Sequence, residues 1–256
     1  MGKEHRLAER RQNIIGVLTE AGHLSVTDLS ARFDVSEVTI RQDLQALSEQ
    51  GLLQRTRGGA LSINAMPEFS FDVRQHQQAT EKARIGQAAA ELVHYGDTIF
   101  LDASTTAQAM IPHLKRLSEL TIVTNSLRVA MSLLDAAHIH VLMPGGSLRR
   151  TSISLVGQPQ CDFLEGVHLE IGFFGARGIS VAEGLTDAGL EEVRMKRSMV
   201  ERCRRIVGVL DSRKWGKVSA STFADLEQVD TIITDRDAPP TLVSQVKNHH
   251  VDVILV

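Results

Sequence analysis

At 256 residues, with 43% hydrophobic and 23% charged side chains, the chain can build two domains with real cores and is too apolar for intrinsic disorder. Its net charge of -3 offers no bulk attraction for nucleic acid. No apolar run approaches the roughly 18 residues of a membrane span and no signal-peptide core opens the chain, so a cytoplasmic protein without a membrane partner is expected. Two cysteines, Cys161 and Cys203, are too few for a disulfide framework and lack ligand-like spacing with histidine. No metal or cofactor is therefore expected.

Residues 8–20 carry Ile14, Ile15 and Leu18 and read as a first helix. Residues 24–26 read as a short extended link, and 27–33, with Leu29 and Phe33 at i, i+4, as a second helix. Asp34-Val35 is a tight connection to residues 36–47, where Ile40, Leu44 and Leu47 form one buried stripe behind an N-cap serine, Ser36. Val38, Arg41, Gln42 and Gln45 fall on the opposite face, with Thr39 at its margin. Arginine, glutamine and small groups on one face suit base edges and phosphates in a major groove. They would equally suit an ordinary amphipathic surface helix, but helix, turn and capped helix in this order form a helix-turn-helix.

Gly51 is placed to stop the third helix. Residues 52–61 then alternate apolar and basic residues up to Gly58-Gly59, the pattern of a small hairpin wing turning at the glycines. Arg55 and Arg57, two apart, are expected on one strand face, either gripping phosphate or lining a solvated edge. Residues 1–61 hold eight basic and eight acidic side chains. With no net charge, DNA binding would rest on locally placed arginines and paired half-sites.

The run V-S-E-V-T-I-R-Q-D-L, followed by L-S-E-Q-G-L-L-Q-R-T-R-G-G-A, resembles the N-terminal signature of the DeoR family of bacterial repressors of sugar metabolism. That resemblance implies a winged helix-turn-helix that sets Ser36, Thr39, Arg41 and the wing arginines against double-stranded operator DNA.

Residues 62–79 read as a linker, with 62–70 aperiodic and 71–78 a polar helix or arm; residues 80–256 form the second domain. A helical stripe of Ile85, Ala88, Ala89, Leu92 and Val93 leads into short apolar strands at 98–101, 120–123, 140–143, 171–174, 206–210, 231–234 and 251–255. Helices are expected between them, including 102–114 and 126–134. Continuous apolar strands alternating with helices define an α/β class: a mostly parallel sheet covered on both faces.

In such sheets ligands collect at the carboxyl ends of the strands. Asp102, Ser104, Thr105 and Thr106 follow the first strand, Asn125 and Ser126 the second, and Gly145 and Gly146 the third. Each cluster alone is an N-cap or a turn; at three consecutive strand ends they point to a shared pocket. Glu192 and Lys196 share a helix face, ordinarily a surface salt bridge of small worth. Asp211 and Lys214 lie at another strand end, beside a tryptophan, Trp215, expected to serve packing.

These clusters are similar to the DeoR-family effector domain, related in fold to ribose-5-phosphate isomerase and the CoA transferases. Asp102, Ser104, Thr105 and Thr106 match the family loop D-x-G-[ST]-T with serine in place of glycine, and Glu170 stands where relatives carry aspartate. Gly175-Ala176-Arg177-Gly178-Ile179, Glu192 with Lys196, and Asp211 with Lys214 match too. The resemblance implies a phosphorylated sugar effector at these positions and a homo-oligomer, dimer or tetramer. The function expected is a sequence-specific transcriptional repressor of a carbohydrate-utilisation operon. The alternative is a sugar-phosphate isomerase-like enzyme with an appended DNA-binding domain. Against it, Gly172-Phe173-Phe174-Gly175-Ala176 stands where the isomerases carry a carboxylate-rich run. A purely architectural or RNA-binding role has no feature in its favour.

Overall fold

The computed structural model describes residues 2–21, 23–49, 52–62, 71–157 and 166–256. Gly51, residues 63–70 of the expected linker and Cys161 lie outside them. Contacts divide the chain into two compact units, Met1–Gln77 and Gln78–Val256.

In the first unit α1 (Gly2–Ala21) is followed by β1 (His23–Ser25), α2 (Val26–Phe33) and α3 (Glu37–Glu49). Val26, expected in the link, is instead the first residue of α2. The cause is a capping box: the Asp28 N–H donates to Ser25 Oγ at 3.0 Å and the Ser25 N–H to Asp28 Oδ2 at 3.3 Å. Asp34, in the left-handed region at φ 50°, ends α2. Ser36 then caps α3, its Oγ accepting the Thr39 N–H at 3.2 Å. Strands β2 (Leu53–Thr56) and β3 (Gly59–Ser62) complete an antiparallel sheet in the order β1-β3-β2. Ile14, Leu18, Val26, Leu29, Ile40, Leu44, Leu47 and Leu53 form its core. Helix α4 (Phe71–His76) falls in the stretch expected as a polar arm.

The second unit opens with α5 (Ala79–Ala90) and β4 (Thr98–Leu101). Two short helices, α6 (Thr105–Gln108) and α7 (Ile111–Leu114), replace the single helix expected over 102–114; Pro112 starts α7 afresh because it cannot donate into a continuing helix. Then come β5 (Leu120–Thr124), α8 (Leu127–Ser132), β6 (Ile139–Leu142) and a hairpin of β7 (Ser147–Arg149) with β8 (Ser154–Val156). The chain continues through β9 (Leu169–Phe174), β10 (Gly178–Ser180), β11 (Gly184–Asp187), α9 (Leu190–Val200), β12 (Cys203–Val209), β13 (Ser221–Ala224), β14 (Thr231–Thr234), α10 (Pro240–Lys247) and β15 (Asp252–Leu255).

Seven of these strands form one sheet, in the order β15-β14-β12-β9-β4-β5-β6, and every pairing in it is parallel. Strand alternation sends Ile99, Leu101, Ile171, Phe173, Val207 and Val209 to one face, with Ile85 and Ala89 of α5. Phe100, Phe174, Ile206 and Ile232 go to the other, with Met195 and Met199 of α9. A small antiparallel sheet, β10-β11-β13, was not legible as strands in the sequence. The strand order runs outward from β4 to β6 in one direction and from β9 to β15 in the other, so the topology reverses between β4 and β9.

Candidate functional site

Two sites were expected, one in each unit. On α3, Val38, Arg41, Gln42 and Gln45 are exposed and Thr39 half-buried, as the helical period requires. Val38 is 61% exposed, an apolar side chain displayed to solvent. Arg41 is held by Glu37 at 2.6 Å, and Glu37 in turn accepts the Thr27 hydroxyl at 3.0 Å, so the carboxylate aims the guanidinium from the first turn of α3. Both partners are exposed, so the pair adds little stability. Arg55 on β2 donates to Gln45 Oε1 at 3.0 Å, tying the wing to the exposed face of α3.

Arg57 corrects the expectation of two arginines on one strand face. Strand β2 ends at Thr56, and Arg57 sits in the turn, exposed, because the chain reverses at Gly58 with φ 118°. Gly59 serves a different need. It already belongs to β3, and a Cβ there would run into the Leu24 carbonyl of β1.

In the second unit the reversal point is occupied. Asp102 follows β4 and its N–H donates to the Phe173 carbonyl of β9; its Oδ2 accepts the Gly175 N–H at 3.0 Å and its Oδ1 the Ala103 N–H at 2.7 Å. From α9, the Lys196 ammonium reaches Asp102 Oδ2 at 3.2 Å, Asp187 Oδ2 at 2.7 Å and the Gly175 carbonyl at 2.7 Å, and lies 4.7 Å from the Phe223 ring centre. Arg177 approaches Asp187 at 3.6 Å, and Arg149 of β7 approaches Glu192 at 3.9 Å. Asp102, Asp187, Glu192 and Lys196 are all buried.

Burial alone would neutralise these groups, and the outcome differs from one to the next. Burial pushes the Asp102 carboxyl up despite Lys196, with the Asp187 charge adding to the rise. Asp187 is buried too, yet the Lys196 ammonium and the Ala188 N–H hold its carboxyl below the usual range. Burial of Lys196 is overcome by Asp102, Asp187 and Glu192, so its ammonium is held well above the ordinary lysine range. One cation is thus shared by two carboxylates that it affects differently: burial wins at Asp102 and the ion pair wins at Asp187.

The strand-end clusters separate under this geometry. Ser104 Oγ accepts the Ala107 N–H at 3.1 Å as the N-cap of α6, so the serine replacing the family glycine acts as an acceptor, with Thr105 and Thr106 in the first turn. Ser126 likewise caps α8 through the Val129 N–H. Asn125 is buried and donates to the Leu155 carbonyl at 3.1 Å, while its Oδ1 has no hydrogen-bond partner among the described residues. Gly146 packs its backbone against Val156 of β8, with Gly145 beside it at φ 73°. Gly178 pairs with Thr186 in the small sheet and packs on the Lys217 carbonyl.

Asp211 follows β12, two strands from β4, and accepts from the Arg213 side chain at 2.9 Å, with Lys214 in the same short turn. Trp215 is buried and donates to Thr234 Oγ1, a packing role as expected. Glu192 and Lys196 are not the surface pair expected from their spacing: both are buried, and Lys196 bonds to Asp102 and Asp187 because α9 turns that face onto the sheet. Glu170, in the first half of β9, pairs with Arg204 of β12 away from the carboxyl edge.

Residues 77–236 match the family model described as the DeoR C terminal sensor domain, and residues 10–66 the DeoR-like helix-turn-helix domain. The chain belongs to the DeoR family. It is 36% identical to the HTH-type transcriptional regulator GolR of Listeria innocua, over 89% of this chain and 90% of that protein. It is 32% identical to the glycerol-3-phosphate regulon repressor of Escherichia coli, over 96% of this chain and 98% of that one. Among solved structures, ribose 5-phosphate isomerase A of Methanocaldococcus jannaschii aligns with a TM-score of 0.39 at 18% identity, over 52% of this chain and 53% of that one. As a DeoR-family member the chain is a DNA-binding transcriptional regulator with a C-terminal sensor domain.

Within that DeoR-family frame, sequence reasoning missed Asp187, and it named Gly175 only through the family-like run 175–179, not as a partner of Asp102 and Lys196. The signal for Asp187 was a carboxylate at a strand end followed by Ala188, Gly189 and a helix, the arrangement already read at Asp102. It also missed Asp43, buried on α3 between Arg10 and Arg11 at 2.6 and 2.9 Å. Among the described residues no group of three or more His, Cys, Asp or Glu side chains is placed to hold a metal ion, and no helix is long and apolar enough to cross a membrane.

Proposed function

We propose that this regulator is a cytoplasmic homo-oligomeric repressor of a carbohydrate-utilisation operon, released from its operator by a phosphorylated sugar at the carboxyl edge of the seven-stranded sheet. The observation that carries the reading is the meeting of Asp102, Gly175 and Lys196 at the point where strand order reverses, the place where ligands bind in open parallel sheets. Three features support a polyhydroxylated anion there. Carboxylates can accept from sugar hydroxyls. The unpartnered Oδ1 of Asn125 calls for a donor. Arg149, beside Glu192, and Arg177, beside Asp187, can supply guanidinium groups to a phosphate. Ser104, Thr105, Thr106, Ser126, Gly145, Gly146, Gly178, Glu192, Asp211 and Lys214 complete the proposed set. Operator contacts fall to Ser36, Val38, Thr39, Arg41, Gln42, Gln45, Arg55 and Arg57.

Release requires the effector to bind one conformation or subunit geometry better than another. A neutral DNA-binding unit depends on paired half-sites, so at least a dimer is required, and a monomeric mass at micromolar concentration would sink the mechanism. An isomerase activity is disfavoured because Lys196, held protonated between carboxylates, is a poor general base. The relative named as the glycerol-3-phosphate regulon repressor supports the repressor reading.

The test is a gel shift on DNA upstream of the gene itself and of its neighbours, with a panel of sugar phosphates and their unphosphorylated forms. Release by one phosphorylated sugar alone is expected. Specific binding that no sugar phosphate alters would discard the effector assignment.

A further inference from the structure

We propose that Asp43 is a positioning residue for DNA readout: clamped by Arg10 and Arg11 of α1, it sets the rotation and axial register of α3. The proposal rests on the DNA-binding reading of the first unit. Asp43 is 1% exposed, and each of its oxygens is taken by a different arginine, Oδ2 by Arg10 Nε at 2.6 Å and Oδ1 by Arg11 Nε at 2.9 Å. Two anchors on one carboxylate restrain both sliding and rotation of the helix that carries it. The rest of the buried α3 contact is apolar, through Ile40, Leu44 and Leu47, while the Thr27–Glu37 and Arg55–Gln45 hydrogen bonds lie at its exposed margin. Apolar burial is non-directional and tolerates small shifts. The ionic clamp does not.

Position matters as much as geometry. Asp43 lies between Gln42 and Gln45 and two residues from Arg41, all three exposed on the expected reading face. Rotating the carboxylate moves those side chains relative to the groove. A buried carboxylate is also a poor choice for stability, since an apolar residue of similar volume would pack there without a desolvation cost. What the ionic group adds over such a residue is a defined helix orientation.

The experiment uses the full-length chain, a duplex selected by that chain from random-sequence DNA, and a shuffled duplex of equal length. For Asp43→Asn, affinity for the selected duplex should fall about tenfold or more, while that for the shuffled duplex and its salt dependence stay unchanged. Asp43→Glu, which keeps the charge, should restore part of the ratio. A role confined to folding would lower both affinities together, in step with the melting curve, and would overturn the proposal. If Asp43→Asn fails to fold, Arg10→Gln and Arg11→Gln each remove one anchor, and a preserved ratio in both would overturn it equally. Failure of the parent chain to enrich any duplex would strike the DNA-binding reading instead.

Discussion

Lys196 and Asp187, nine residues apart, meet in a buried ion pair at 2.7 Å because β11 ends at the carboxylate and α9 turns back over it. Asp102 shares the same ammonium at 3.2 Å. Removing the cation leaves two carboxylates facing each other in the core. Lys196→Met is expected to destabilise the second unit by about 3–5 kcal/mol, measured by chemical denaturation. Unchanged stability would mean that water or a rearranged Arg177 replaces the ammonium.

The pH dependence follows from the directions of the shifts. Asp187 is depressed below its ordinary 3.8, so its contribution is present above that value and is lost as pH falls through its lower folded value. Lys196 is raised above its ordinary 10.5, so its contribution is full below 10.5 and fades only at more alkaline pH. Asp102 is raised above 3.8, so its ionisation costs stability as pH rises through its folded value. Asp102→Asn should therefore gain stability relative to the parent chain as pH rises above 3.8, read from denaturation midpoints across pH. A pH-independent difference would show that Asp102 titrates normally.

Gly175 and Ser104 are in mutual contact, and a Cβ on Gly175 would overlap both Cβ and Oγ of Ser104. Gly175→Ala is expected to cost about 1–3 kcal/mol through overpacking. Ser104→Gly in the same chain should recover part of that cost, less the lost α6 cap. Additive effects in the double-mutant cycle would refute the contact.

The wing-tip arginine and the arginine on α3 should differ. Arg57, at the exposed tip, is expected to grip phosphate, so Arg57→Ala should weaken binding to all duplexes alike and reduce the salt slope by about 1. Arg41 faces outward from α3, held by Glu37. Arg41→Ala should cost about 1–3 kcal/mol, and more on the preferred duplex than on others. Titration of both variants against a selected and a shuffled duplex, at several salt concentrations, separates the two outcomes.

The periodic elements were legible because their causes are local. The stripe of Ile40, Leu44 and Leu47, the Ser36 cap and the short apolar strands β4 and β14 depend on neighbours a few residues away, and the strand ends at Asp102 and Asn125 followed from them. The family itself was legible for the same reason, through a continuous run of residues in the first unit. Arg57 was misplaced because a strand period cannot say which glycine of a pair carries the positive φ.

What only the tertiary structure decided is partnership between charges distant in sequence. The Gly175 N–H and Asp102 carboxylate are 73 residues apart, and Arg10 and Asp43 33 apart. In a linear reading a charged residue defaults to solvent, where ionisation is cheap and partners are interchangeable. Burial reverses that rule: each charge must then find its counter-charge in three dimensions, and strand order and helix packing alone determine which one it meets.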